Sequence, residues 1–462
     1  MQFVADLHLH SKYSRAVSQN MILPVMAETA QKKGIDVLSA GDWTHPLWIR
    51  EIESQLEEAG EGLYKMRDEK LEMRNDVRFL LATEIASIYT QGGKLRRIHN
   101  LVFSPNIETS AKISKELIRR GCNLHSDGRP IIGLSSKALL ELIMSIDKRA
   151  ILIPCHVWTP HFGIYGSASG FDSLEEAFGD LSKYIYGIET GLSSDPLMNW
   201  QIKELDNRSI LSFSDAHSPA KMGREATVFI DQRSNIKDQS QDQRSKISYE
   251  DIILAIKRDP KGKFKIGYTI EFYPEEGKYH FSGHRNCKIV YGPDDLKIKG
   301  NICPVCHRKL TDGVLNRVMQ LSNRSEEEVS SAKMNGSGIK WYLDKQKKHP
   351  PFVKLVPLLE IIAESMHSTV FSQKVKGIYD TLCLSLDSEL NVLLKSSIEE
   401  IEKYSDAETA QAVNRVREGE IIVDPGYDGE YGKVKIWNDK SQKSKVKSQN
   451  GKKTEENQLG LF

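Results

Sequence analysis

Asp6-Leu7-His8-Leu9-His10 closes a short apolar run, Phe3-Val4-Ala5, near the start of the chain. In a strand alternate side chains share a face, so His8 and His10 point together while Leu7 and Leu9 turn toward the core. Two neutral imidazoles one strand period apart can share a divalent cation. Asp215-Ala216-His217 repeats the device with a carboxylate and an imidazole. The same residue types close the apolar runs between. Asp42 and His45 follow Val37-Leu38-Ser39-Ala40, Glu84 follows Phe79-Leu80-Leu81-Ala82-Thr83, and His99 precedes Leu101-Val102-Phe103. Cys155 and His156 follow Ile151-Leu152-Ile153, and Glu189 follows Ile188. One carboxylate can bind two cations through its two oxygens, which makes Glu84 the natural bridge. If three divalent cations gather there, Asp42, Glu84 and Asp215 offset half of their charge, and the remainder invites hydroxide and phosphate.

These side chains must be brought together by the elements that carry them. From Met1 to about Ile230, short β-branched runs alternate with helical segments, the pattern of an α/β chain folded as a βα barrel. In such a barrel the C-terminal strand ends form one rim, where catalytic groups collect. The barrel is expected over residues 1–275, ending with a helix over Tyr249–Arg258 and a strand near Lys265–Tyr268. Two insertions interrupt it. Residues 43–76, rich in Glu, Lys and Arg, read as a long solvated helical arm, and 231–248 as a polar surface loop. In Ser126-Asp127-Gly128-Arg129-Pro130 the arginine could hold a phosphate or staple its own turn. The Gly- and aromatic-rich loop Trp158–Ser167 follows His156 directly and could stack or wedge a base, or simply pack.

A second set of ligand types lies at 276–314. Cys287, Cys303 and Cys306 cluster, whereas Cys122, Cys155 and Cys383 stand alone. With His284 they make a closed Cys₃His set of the kind that holds one structural zinc, the spacer suiting a zinc-ribbon-like hairpin. His280 and His307 are alternatives to His284. Residues 315–439 read as a helical DNA-binding region ending in a short strand. Leu315–Lys348 mixes Arg317, Arg324, Lys333, Lys340, Lys345, Lys347 and Lys348 with Trp341 and Tyr342, suited to phosphates and exposed bases. Residues 440–457 are polar enough for a disordered linker, and Gln458-Leu459-Gly460-Leu461-Phe462 at the tip reads as a short motif inserting Leu461 and Phe462 in a partner's pocket.

At 462 residues the chain should form two or three domains, and with 39% hydrophobic and 27% charged residues it excludes a disordered polyelectrolyte. A net charge of +1 confines any nucleic-acid surface to a local patch. The lack of a long apolar run or basic-apolar leader gives the expectation of a cytoplasmic, nucleoid-associated protein without membrane contact.

The ordered motifs Asp6-Leu7-His8-Leu9-His10, Gly41-Asp42, Thr83-Glu84, Ile98-His99-Asn100, Cys155-His156 and Ser214-Asp215-Ala216-His217 resemble those of the PHP (polymerase and histidinol phosphatase) superfamily. That resemblance implies a distorted (βα)7 barrel with two or three divalent metals (zinc, manganese or magnesium) that hydrolyses phosphate esters. The ligands it implies are His8, His10, Asp42, Glu84, His99, His156, Asp215 and His217. The pattern departs at Ser14-Arg15-Ala16 and at Trp43, where many members carry histidines, and His45 is the expected substitute. Taken with the His284/Cys287/Cys303/Cys306 set, the helical segment and Pro425-Gly426-Tyr427-Asp428-Gly429, the chain resembles the endonuclease Q family. This implies a magnesium-dependent endonuclease cutting damaged DNA 5′ to hypoxanthine, uracil, xanthine and abasic sites. The terminal pentapeptide is similar to the bacterial sliding-clamp-binding consensus, with Gln458, Leu459, Leu461 and Phe462 as contacts. The competing readings are a small-molecule phosphatase of the histidinol phosphate type and a noncatalytic clamp-tethered DNA adaptor.

Overall fold

Leu7, Leu9, Val37, Leu38, Phe79 and Leu81 are all buried, as their runs require. The computed structural model describes residues 1–67, 77–232 and 247–437. Most of 231–248, the end of 43–76, the linker 440–457 and the pentapeptide 458–462 lie outside the described residues.

A 13-stranded mixed sheet runs through the molecule. Strands Gln2–Asp6, Val37–Ser39 and Arg78–Gln91 pair in parallel, with Ala5 opposite Val37 and Leu38 opposite Phe79. Ala226–Asp231 pairs antiparallel with Gln2–Asp6 on one side and with Phe264–Glu271 on the other. Helix Tyr249–Ile256 fits the expected segment, fixed by a Ser248/Asp251 capping box.

The ladder departs from an all-parallel ring at Leu101–Phe103. This run belongs to Lys94–Ser104, the return arm of a hairpin with Arg78–Gln91, and Ile151–Pro154 then pairs antiparallel with it. The reversal is written in Gly92-Gly93. Both have positive φ (61° and 72°), as a two-residue hairpin turn matched to strand twist demands. Gly187–Glu189 and Ser209–Leu211 form a separate parallel pair, whose Glu189 carbonyl accepts from Val157 N at 3.1 Å.

The supposed solvated arm after Trp43 is different in kind. Helix Pro46–Gln55 is followed by strands Leu56–Glu58 and Leu63–Met66, which extend the sheet edge beside Arg78–Gln91. Buried Trp48, Ile52, Leu56, Leu63 and Tyr64 anchor this segment, so its charged residues are only the outer face of a packed element.

The region 315–439 likewise holds strands as well as helices. Ser330–Met334, Lys340–Asp344 and Phe352–Lys354 extend the sheet beyond Phe264–Glu271. Trp341 packs edge-on against Tyr268 and Tyr342 stacks on Phe352, so both aromatics are committed to the sheet. Arg317 bonds Tyr165 O and Phe171 O, while Arg324 and Lys348 pair with Asp206. These three cations of the anticipated DNA patch fasten the region to the N-terminal half instead. Helices Leu358–Ser365, Gln373–Ser385, Glu389–Leu394, Ile398–Tyr404 and Ala407–Glu418 form a bundle around Ile361, Leu382, Val392, Ile401 and Val413. Among the described residues no helix is long and apolar enough to cross a membrane.

Candidate active site and metal centres

Strand Gln2–Asp6 delivers His8 and His10 into a buried pocket, and a bridge from Leu9 to Ala216 brings Asp215 beside them. Asp42, His156 and Asp215 have φ of 37°, 28° and 46°, a region costly for side-chain-bearing residues and characteristic of functional positions.

Ligand atoms of His8, His10, Glu84 and Asp215 lie within 4.8 Å of one another, as do those of Glu84, His99 and His156. Glu84 divides its oxygens between the two groups. Oε2 faces His10 Nε2 at 3.2 Å and His8 Nε2 at 3.7 Å, while Oε1 faces His156 Nε2 at 3.1 Å and also His99. This is the arrangement of a carboxylate shared by two cations. His8 Nε2 is buried without a hydrogen-bond partner, 3.7 Å from Asp215 Oδ1. An orphaned imidazole nitrogen among carboxylates fits a metal-binding donor.

The electrostatics agree. Burial opposes charge on His8 and His10, yet Glu189 and Asp215 around the first, and Asp42, Asp215 and Glu84 around the second, hold both well above the ordinary imidazole value. Burial also opposes charge on Glu84, but His99 and Arg129 hold it well below the usual carboxylate range. The pocket is thus tuned to contain positive charge. His99 is pushed down to about 4, chiefly by burial, and stays neutral at physiological pH.

Second partners fix the rings. His8 Nδ1 lies 2.8 Å from Glu189 Oε1, His10 Nδ1 lies 3.0 Å from Asp42 Oδ1, and His156 Nδ1 lies 3.2 Å from the Thr159 hydroxyl. Asp42 is therefore a positioning group here. Its Oδ2 accepts from Ser11 N, Ser11 Oγ and Ser14 Oγ at 2.6, 2.7 and 2.8 Å. His217 sits at the margin, its ring 4.8 Å from that of His10 and its Nδ1 2.8 Å from Asp215 O. His45 is not drawn in as a substitute ligand: it precedes helix Pro46–Gln55 and stacks on Tyr13 at 4.4 Å. Sequence reasoning placed Glu189 at a strand end without giving it a role, although the carboxylate closing Gly187–Glu189 carried the same signal as Glu84. Sequence reasoning also gave Ser11, Ser14 and Thr159 no role in holding the rings, although Ser14 stands where the pattern departs from the family's and Thr159 lies in the loop after His156. Cys155 lies beside His8 and Glu189, but burial raises its thiol well above the usual value, so it remains protonated.

In the loop after His156, Trp158 and Tyr165 are fully buried and stack at 4.9 Å, which removes them as base wedges. Phe162, at φ 73°, lies 4.3 Å from His99, and His161 is exposed.

The second centre brings His284, Cys287, Cys303 and Cys306 within 4.8 Å, with Cys306 Sγ 3.2 Å from His284 Nδ1. His280 is buried and stacks on Phe281, and His307 is exposed, so neither joins the set. The spacer is more than a ribbon hairpin: strand Ile289–Tyr291 and helix Pro293–Lys299 stand between Cys287 and Cys303. Three thiols and an imidazole suit zinc. Although burial opposes it, the Cys306 and Val305 backbone amides bring Cys303 down to about 6, favouring the thiolate a metal needs.

The family described as the MJ0043 C-terminal domain matches residues 357–420, most of the helical bundle. Protein MJ0043 of Methanocaldococcus jannaschii is 31% identical over 280 residues, covering 60% of this chain and only 31% of that one. YqxK of Bacillus subtilis is 27% identical over 450 residues, 93% of this chain and 98% of its own. Among solved structures, the lesion-specific endonuclease PfuEndoQ of Pyrococcus furiosus is 29% identical, with a TM-score of 0.76 over 98% of this chain and 99% of that one. The chain shares the endonuclease Q fold. Endonuclease Q bound to a 27-mer duplex with an abasic lesion at its active site gives the same TM-score and identity, over 95% of this chain and 97% of its own. The likeness to endonuclease Q therefore includes both halves of the chain.

Proposed function

We propose that this protein is a metal-dependent DNA repair endonuclease that hydrolyses the phosphodiester 5′ to hypoxanthine, uracil, xanthine and abasic sites. The observation that carries the reading is Glu84 shared between two imidazole groups, in a chain whose structural neighbour holds an abasic duplex at its active site. His8, His10, Glu84 and Asp215 would hold one divalent cation, and Glu84, His99 and His156 a second. Cations held there would supply Lewis acidity and an activated water, so the mechanism needs no side-chain nucleophile. Asp42 and Glu189 fix the rings of His10 and His8, and Glu189 also accepts from the His156 amide at 2.9 Å, tying both halves of the site to one carboxylate. His284, Cys287, Cys303 and Cys306 would hold a structural zinc. The target base would be turned out of the duplex, at an unstacking cost that is smaller for a mispaired or missing base.

Purified protein with Mg²⁺ or Mn²⁺ should nick a labelled duplex on the 5′ side of a single deoxyinosine, deoxyuridine or abasic site and spare the undamaged duplex. The Asp215→Ala and His8→Ala variants should not cut. Phosphate release from histidinol phosphate without nicking, or lesion binding without cleavage, would overturn the reading. We also propose that Gln458, Leu459, Leu461 and Phe462 bind a bacterial sliding clamp in the cytoplasm. Truncation before Gln458 should spare nicking and abolish capture by the clamp.

A further inference from the structure

We infer that the guanidinium of Arg129 stands in the active site where a third cation would otherwise be held, and contacts the phosphate of the substrate. The inference rests on the phosphodiesterase reading above for the identity of that substrate.

Among the ligands expected from the sequence, Asp42, His45 and His217 fall outside the two groups that share Glu84. Asp42 takes four donors, from His10, Ser11 and Ser14, which fill its ordinary capacity. His45 is stacked on Tyr13. Nδ1 of His45 is buried without a partner and His217 keeps a ring nitrogen beyond its bond to Asp215 O, but neither joins a group of ligand atoms gathered within 4.8 Å among the described residues.

The space beside Asp42 is filled by the segment that carries Arg129. A Cβ on Gly128 would lie 2.4 Å from both Asp42 Oδ2 and Ser14 Oγ, so only glycine lets this backbone approach so closely. Gly128 N donates to Tyr13 O at 3.0 Å, and Ala86 N donates to Pro130 O at 2.9 Å. Asp127 Oδ1 accepts from Arg15 N and Arg129 N at 3.2 and 3.1 Å. The turn is thus pinned on both sides of Arg129.

The side chain then reaches the cluster itself. Its Nη1 lies 3.2 Å from Glu84 Oε2, the oxygen that His8 and His10 also face. That is its one hydrogen bond among the described residues. The side chain is 24% exposed, which leaves most of its five N–H donors to solvent or substrate. A guanidinium in this position is a permanent charge with a planar fork matched to phosphate oxygens. It also needs no loading from solution, unlike a divalent ion.

The test uses the full chain. Elemental analysis of metal-loaded wild type should give two equivalents beyond the zinc of the cysteine set. Calorimetric titration with inorganic phosphate should show binding at least about tenfold weaker in Arg129→Ala, with metal content unchanged and partial recovery in Arg129→Lys. On a lesion duplex, kcat/KM of Arg129→Ala should fall about 100-fold or more. A third equivalent in the wild-type histidine–carboxylate site, unaltered phosphate affinity in Arg129→Ala, or loss of metal from that variant would overturn the inference; the last would make Arg129 a staple for Glu84. Should wild type fail to nick any lesion duplex while phosphate binding still depends on Arg129, the nuclease reading falls and the assignment of Arg129 stands.

Discussion

Nδ1 of His8 and Oε1 of Glu189 meet at 2.8 Å with both side chains fully buried, on the opposite side of the imidazole from Glu84 and Asp215. The carboxylate would hold the proton on Nδ1 when a cation takes the place of the proton on Nε2. Glu189→Leu should therefore weaken metal retention on the order of 10–100-fold, whereas Glu189→Gln, which keeps an acceptor, should lose less. Chelator titration followed by elemental analysis reads the effect. Equal retention in wild type and Glu189→Leu would remove Glu189 from the site.

Around the cysteine set the core is very small: buried Tyr291, Cys303 and Leu310, with Cys287, Ile289, Leu296 and Cys306 packed on it. So little apolar area cannot hold a fold unaided, and a metal must supply the difference. Cys303→Ser should release one zinc equivalent and raise amide exchange across 282–310 while the strand Arg78–Gln91 keeps its protection. Exchange mass spectrometry checks both, and full protection of 282–310 in the metal-free variant would contradict a structural zinc.

How much of this was legible in the sequence differs by link of the chain. His8, His10, Glu84, His99, His156 and Asp215 could be gathered because each borders an apolar run, and burial makes such runs conspicuous. His99 was found for a partly mistaken reason, since its strand is the reversed arm of a hairpin. The strands after Gln55 and around Trp341 were hidden by exposed charges that dominate composition but not packing. Arg129 was marked by its turn as a phosphate holder or a staple, but its reach to Glu84, like the contacts of Ser11 and Ser14 to Asp42, joins segments distant in sequence, and no local pattern encodes those.

Glu276 gives a pH signature. Burial and the nearby Glu360 carboxylate push it up to about 7, against Lys221 and Arg224. Between the ordinary glutamate value and 7 the folded chain keeps a proton that the unfolded chain releases. This contribution to stability is therefore present in acid and lost as pH rises through 7. Glu276→Gln should leave Tm nearly unchanged at pH 4.5 and raise stability at pH 8 by on the order of 1–2 kcal/mol. Thermal melts at the two pH values decide it, and a variant no more stable than wild type at pH 8 would refute the argument.

Lys33 ends the helix Leu23–Lys33 and reaches Glu389 of the bundle, Nζ to Oε2 at 2.8 Å, with both side chains 6% exposed. Tyr379 OH donates to the same oxygen at 2.7 Å and Leu358 N to the other at 3.0 Å. Removing the ammonium alone strands a buried carboxylate with two neutral donors, so Lys33→Met should destabilise the protein by about 3 kcal/mol. Replacing both partners, Lys33→Met with Glu389→Gln, removes the uncompensated charge and should recover part of that loss, a coupling a double-mutant cycle measures. Because the pair joins the bundle to the half bearing the metal ligands, exchange in Lys33→Met should rise first at Leu358–Ser365 and Glu389–Leu394. The strand Gln2–Asp6 that leads to His8 and His10 should stay protected. Simultaneous loss in both would show instead that the two halves unfold as one unit.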